Sequence, residues 1–151
     1  MFNGFTEREI TLRAVKQLST YAWSYPVGVE PHTLKDNIAY INREAKKLDC
    51  TPESCWLISI HANTSTDFEK KGSIVYYHPD SKESITLANS IAKVLNARLL
   101  LPDDRNRHGR LGIIRDVENV APVLVELGFM SNPSDLKRLT TEDWAKTIYG
   151  L

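Results

Sequence analysis

The sequence has no stretch apolar enough to cross a bilayer. Its longest apolar segments, such as Cys55 to Ile60 and Pro122 to Val125, fall far short of the roughly 20 residues a span needs. It also lacks net charge: 19 Lys and Arg balance 19 Asp and Glu, so no summed field draws it to nucleic acid or an anionic membrane, and neither is an expected partner. Glycine and proline are sparse, at seven each among 151 residues, and no repeat or low-complexity tract occurs, which excludes fibrous and disordered classes. The amino end carries no basic segment followed by an apolar one, so no secretory signal is visible. No Gly-x-Ser-x-Gly elbow occurs, and nucleophilic catalysis has no signature. The only cysteines, Cys50 and Cys55, stand too close to close a useful loop and have no second pair for a thiolate zinc site. They read as ordinary thiols.

What is present suits one globular domain over residues 1–151, with 42% apolar residues to fill a core. Thr6 and Glu9 have capping-box spacing, and Ile10, Ala14 and Leu18 recur at helical spacing, predicting a helix from Thr6 to Trp23. Leu34, Ile38, Ile41, Ala45 and Leu48 predict a second helix. Cys55 to Ile60 reads as a strand covered on both faces, and Gly72 to His78 as another. A helix follows from Ser84 to Leu99, then an irregular polar stretch from Pro102 to Arg110. Leu111 to Arg115 reads as a short strand, Ala121 to Glu126 as an apolar one, and two short helices begin near Pro133 and after Glu142. This alternation predicts an α/β fold: one twisted, mostly parallel sheet with helices on both faces.

In such sheets, sites form beyond the carboxyl ends of the strands, where His61 and Glu126 both stand. A histidine and a glutamate converging there suit metal-assisted hydrolysis, the imidazole as ligand and the carboxylate as proton shuttle. The bland alternative for His61 is a strand-end histidine bonded to a carbonyl. Glu126 fits a bland role less well, because a carboxylate after four apolar residues is costly to bury unless paired or ligated.

Three segments narrow this reading: Gly4 to Leu12, Leu57 to Asn63 with its Ser-Ile-His-Ala-Asn run, and Pro122 to Asn132 with its Val-Glu-Leu-Gly-Phe run. Together, over nearly the whole chain, they resemble the zinc-dependent N-acetylmuramoyl-L-alanine amidases of bacterial autolysins and phage endolysins. The resemblance implies cleavage of peptidoglycan at the amide between the lactyl group of muramic acid and the L-alanine of the stem peptide. It implies His61 and Glu7 as zinc ligands and Glu126 as the catalytic acid. Glu7 would otherwise simply favour a helix amino end, while Glu9 is used by the cap. The enzyme is expected to act on the cell wall as a monomer.

The family begins with a buried strand and a Gly-His-Gly turn whose histidine is the third ligand; this sequence has neither. The expectation is a chain that is the carboxyl-terminal part of a longer product, holding zinc weakly by two ligands and leaving its first helix and its Cys55 to Ile60 strand facing a gap. His108 and His32 are the alternative third ligands; His78, before Pro79, reads as a turn residue. Arginines cluster from Arg105 to Arg110. Arg115, in an Ile-Arg pair like one in the family, is expected either to receive a stem-peptide carboxylate or to form a surface ion pair with a neighbouring Asp. Asn37 stands where the family has an arginine. The rival functions are a degenerate, non-catalytic wall-binding module and a plain scaffold domain.

Overall fold

The computed structural model describes residues 4–21, 33–104 and 111–149. The elements run α1 (Glu7–Tyr21), α2 (Leu34–Lys47), β1 (Trp56–Asn63), β2 (Ile74–Tyr77), α3 (Lys82–Val94), β3 (Leu99–Pro102), α4 (Gly112–Arg115), β4 (Ala121–Phe129), α5 (Pro133–Thr141) and α6 (Trp144–Tyr149). The expected α/β architecture is present. Four strands form one sheet in the order β1-β4-β2-β3, with β1–β4 and β2–β3 parallel and β2–β4 antiparallel. No described helix is long and apolar enough to cross a membrane.

The core follows strand alternation. Ile58, Ile60 and Ala62 of β1 and Val123, Val125 and Leu127 of β4 meet Ile10, Ala14 and Leu18 of α1 in one cluster, which α3 closes with Leu87 and Ile91 and α6 with Trp144. The other side chains of these strands, among them Ser59, His61, Leu124 and Glu126, point to the opposite face, where α4 contacts β4 and α2 packs on α4. Expected strand burial holds for β4, in which only Glu126 is not fully buried, but not for β1, whose Trp56 is 66% exposed. The reason is position: among the described residues β1 is the sheet's edge. An apolar cavity of about 1320 Å³, lined by Val15 and Leu18 of α1, Ile41 of α2, Ile58 of β1 and Val94 of α3, runs beside it as far as Glu7 and His61.

Three local expectations are corrected. Leu111 to Arg115 is a helical turn, not a strand: the Arg115 and Asp116 N–H groups donate to Leu111 and Gly112 carbonyls, and Asp103 accepts the Leu111 N–H. The Ile-Ile pair signalled β structure over too few residues for period to decide. The helix expected to reach Leu99 stops at Val94, because Asn96 turns through a positive φ of 47° and Leu99–Pro102 departs as β3. Finally, Cys50 and Cys55 are not free thiols but a disulfide. Leu48 ends α2, Asp49 takes a φ of 49°, and the Ser54 and Cys55 N–H groups fold back on the Thr51 carbonyl, which brings the two Cα atoms to 5.5 Å. Closing so short a loop limits its contribution, so replacing both cysteines by serine is expected to cost about 2 kcal/mol in a denaturant titration.

Candidate active site

Parallel pairing of β1 and β4 sets His61 directly beside Glu126 in register, and antiparallel β2 adds Ile74 on the other side of Glu126. His61 lies within β1, which runs on to Asn63. Glu7 arrives from above. The capping box at the start of α1 forms as expected, Thr6 N–H donating to Glu9 Oε2 at 2.8 Å and Glu9 N–H to Thr6 Oγ1 at 3.2 Å. With Glu9 thus occupied, Glu7 turns to the strand end, its Oε1 3.1 Å from His61 Nδ1 and 3.4 Å from the Ala62 N–H. The three residues singled out on β1, β4 and α1 therefore converge.

Their ionisation is mutually set. The hydrogen bond to His61 holds the Glu7 carboxyl below its ordinary range. The same bond raises His61, burial opposes it, and the negative charges of Glu126 and Glu7 add to the rise. Glu126 is pushed up to about 7, chiefly by burial, with His61 pulling it down and Glu7 pushing it up. Its Oε2 is buried without a hydrogen-bond partner among the described residues. A carboxyl poised near neutrality and aimed into an unsatisfied site is suited to taking and returning a proton.

Residues not singled out in the sequence complete the surroundings. Ser59 Oγ lies 3.0 Å from His61 Nε2. Tyr76 of β2 has its phenol raised by burial and by the charge of Glu126. Asp135, buried in α5, accepts the Gly72 N–H at 2.7 Å and the Phe129 N–H at 2.8 Å, fastening the end of β4 just past Glu126. The approach is so close that a Cβ at Gly128 would stand 3.0 Å from Asp135 Oδ2. An alternating strand pattern marks faces, not which polar side chain meets which, so these contacts had no sequence signal.

Arg115 is not brought to this group; of the two roles expected of it, the ion pair is the one present. Asp103 follows β3, and its N–H donates to Tyr77, at the end of β2 away from Glu126. There the Arg115 guanidinium is committed to the Asp103 carboxylate, donates to the Asp103 carbonyl at 2.8 Å and reaches Asp80 at 3.4 Å. Asp103 is 3% exposed, so this is the ion-pair alternative in a buried form. Arg115→Ala is expected to cost about 3 kcal/mol by stranding that carboxylate, read by chemical denaturation, while leaving the substrate constant unchanged. His78 lies at the same distant end, where its Nδ1 accepts the Asp80 N–H, the turn role expected of it. His32, His108 and the arginines from Arg105 to Arg110 lie outside the described residues.

The site's donors can be tested against a zinc ion. Glu7 and His61 present a carboxylate oxygen and an imidazole nitrogen 3.1 Å apart, which fits two corners of a tetrahedron. Among the described residues no cluster of three or more His, Cys, Asp or Glu forms a complete metal site.

Residues 1–150 match the family model described as N-acetylmuramoyl-L-alanine amidase. A probable cell wall amidase LytH of Staphylococcus saprophyticus is 27% identical over 134 residues, 89% of this chain and 43% of the relative; one from Staphylococcus epidermidis is 26% identical over 129 residues, 85% and 41%. The chain thus spans less than half the length of these curated relatives. Among solved structures, an N-acetylmuramoyl-L-alanine amidase from Clostridium difficile 630 superposes with a TM-score of 0.74 at 18% identity, covering 98% of this chain and 82% of that one. Amidase AmiC2 of Nostoc punctiforme gives 0.71 at 19% identity, covering 98% and 85%. At these identities the structural likeness speaks to the fold alone.

Proposed function

The chain belongs to the N-acetylmuramoyl-L-alanine amidase family, and from that premise we propose that it hydrolyses the amide between muramic acid and L-alanine of peptidoglycan, with zinc held by Glu7 and His61 and with Glu126 as proton shuttle. The observation that carries this reading is Glu126. A carboxyl raised to about 7, with a buried and unpartnered oxygen beside the paired Glu7 and His61, has no structural use that would offset its burial.

In this mechanism Glu7 and His61 hold the ion together with a third donor from outside the described residues. When bound, it supplies Lewis acidity toward the amide carbonyl and the attacking water. Glu126 accepts a proton as that water attacks the carbonyl carbon. It then delivers the proton to the departing nitrogen of L-alanine, because an amine leaves poorly unless protonated. No covalent intermediate is required, and both cysteines are held in a disulfide, so no thiol serves as nucleophile. That disulfide also favours a working place outside the reducing cytosol, as the cell wall is. A non-catalytic wall-binding module would gain nothing from the orphaned Glu126 oxygen, which disfavours that alternative.

Because the base must be ionised, kcat/KM is expected to climb about tenfold per pH unit on the acid side and to level off once Glu126 is ionised, at or below about 7, since a cation held beside the carboxyl lowers the value that burial raises. Initial rates on purified peptidoglycan from acid to alkaline pH test the reading. A rate with no acid limb would contradict it.

A further inference from the structure

Ser59 stands two residues before His61 on the same face of β1, and its Oγ lies 3.0 Å from Nε2 while Nδ1 faces Glu7. Its register partner on β4 is Leu124, which offers the hydroxyl no side-chain alternative. A neutral imidazole carries a single proton, and its two nitrogens must take opposite roles. Without metal, the Glu7 carboxylate can only accept, so the proton sits on Nδ1 and Nε2 accepts from the Ser59 hydroxyl. If Nδ1 instead gives its lone pair to a metal ion beside Glu7, the proton moves to Nε2, and Ser59 must accept. A hydroxyl can do both, whereas a carboxylate could serve only the second state and an alkyl group neither.

We propose that Ser59 is a positioning residue for the metal ligand His61, a reversible hydrogen-bond partner that holds the ring with Nδ1 toward Glu7 while its proton changes nitrogen as the ion arrives. The proposal rests on the zinc reading above and adds a residue to it. Partners of this kind behind a ligating histidine fix both tautomer and ring orientation, and their loss weakens metal binding.

The test uses the whole chain and two readouts that do not depend on amidase activity. In wild type, Ser59→Ala and Ser59→Thr, zinc affinity is measured by competition with a chelating dye, and the protonated His61 nitrogen by nitrogen-15 NMR in alkaline solution, where the ring is neutral. Ser59→Ala is expected to weaken zinc binding by about tenfold to a hundredfold. Ser59→Thr, which keeps the hydroxyl on a residue suited to a strand, should restore most of it. In wild type the metal-free ring should carry its proton on Nδ1 and the zinc-loaded ring on Nε2. Unchanged affinity in Ser59→Ala, equal weakening in both variants, or a loaded ring protonated on Nδ1 would overturn the proposal. Should wild type take up no zinc, the metal reading fails separately. The metal-free spectrum still decides here: a neutral wild-type ring protonated on Nε2 overturns the role of Ser59, and one on Nδ1 that loses this preference in Ser59→Ala supports it.

Discussion

Glu126→Gln is expected to leave zinc uptake near that of wild type while lowering turnover by about a hundredfold or more, because the amide keeps the shape of the carboxyl but cannot carry the proton. Equal losses of metal and turnover would instead make Glu126 a ligand. The same variant has an unusual expected effect on stability. A carboxyl whose pKa rises from 4.5 in the unfolded chain to about 7 in the fold makes ionisation unfavourable to the native state. The penalty is absent below about pH 4.5, grows as pH rises and is complete above about 7. At 1.36 kcal/mol per unit it reaches at most about 3 kcal/mol. Metal-free Glu126→Gln should therefore melt higher than wild type above neutrality and no higher in acid. A gain in stability joined to a loss of activity marks a carboxylate kept for function; a structural carboxylate would lose both.

The second large effect concerns the metal. His61→Ala removes one of two described donors and should weaken zinc binding by about tenfold or more relative to wild type, measured by competition with a chelating dye. Unchanged affinity would reject His61 as a ligand. A third donor is not among the described residues. His32 and His108 are the candidates the sequence offers for it, and an alanine variant of either that weakens zinc binding as much as His61→Ala would assign the third position.

The positions of His61 and Glu126 were legible because each follows an apolar run toward the carboxyl end of its strand, where ligands gather in α/β sheets, although β1 continues to Asn63 and β4 to Phe129 beyond the ends expected of them. Glu7 was implied by the family resemblance alone, the capping role of Glu9 serving only to set that neighbour aside. The rest failed for identifiable reasons. Arg115 was left between two roles because sequence does not reveal that Asp103, just past β3, stands beside Tyr77 at the end of β2 away from Glu126. Asn96 ended α3 through a left-handed turn that helical periodicity could not register, so Leu99 was read as the end of a helix and β3, which starts there, was not expected. The cysteines were misjudged because loop length alone was weighed, while a helix end and a tight turn supplied the geometry for closure. Ser59, which opens the Ser-Ile-His-Ala-Asn run, was given no role of its own: spacing by two puts it on the same face as His61, but the pattern does not say that the two side chains meet.

The most direct test of the proposed chemistry is to identify the group that zinc-loaded protein releases from purified peptidoglycan, by labelling new amino termini and new reducing sugar ends in parallel. Accumulation of amino-terminal L-alanine with no new reducing ends, lost in Glu126→Gln, is the expected result. New reducing ends, or an amino terminus other than L-alanine, would contradict the account.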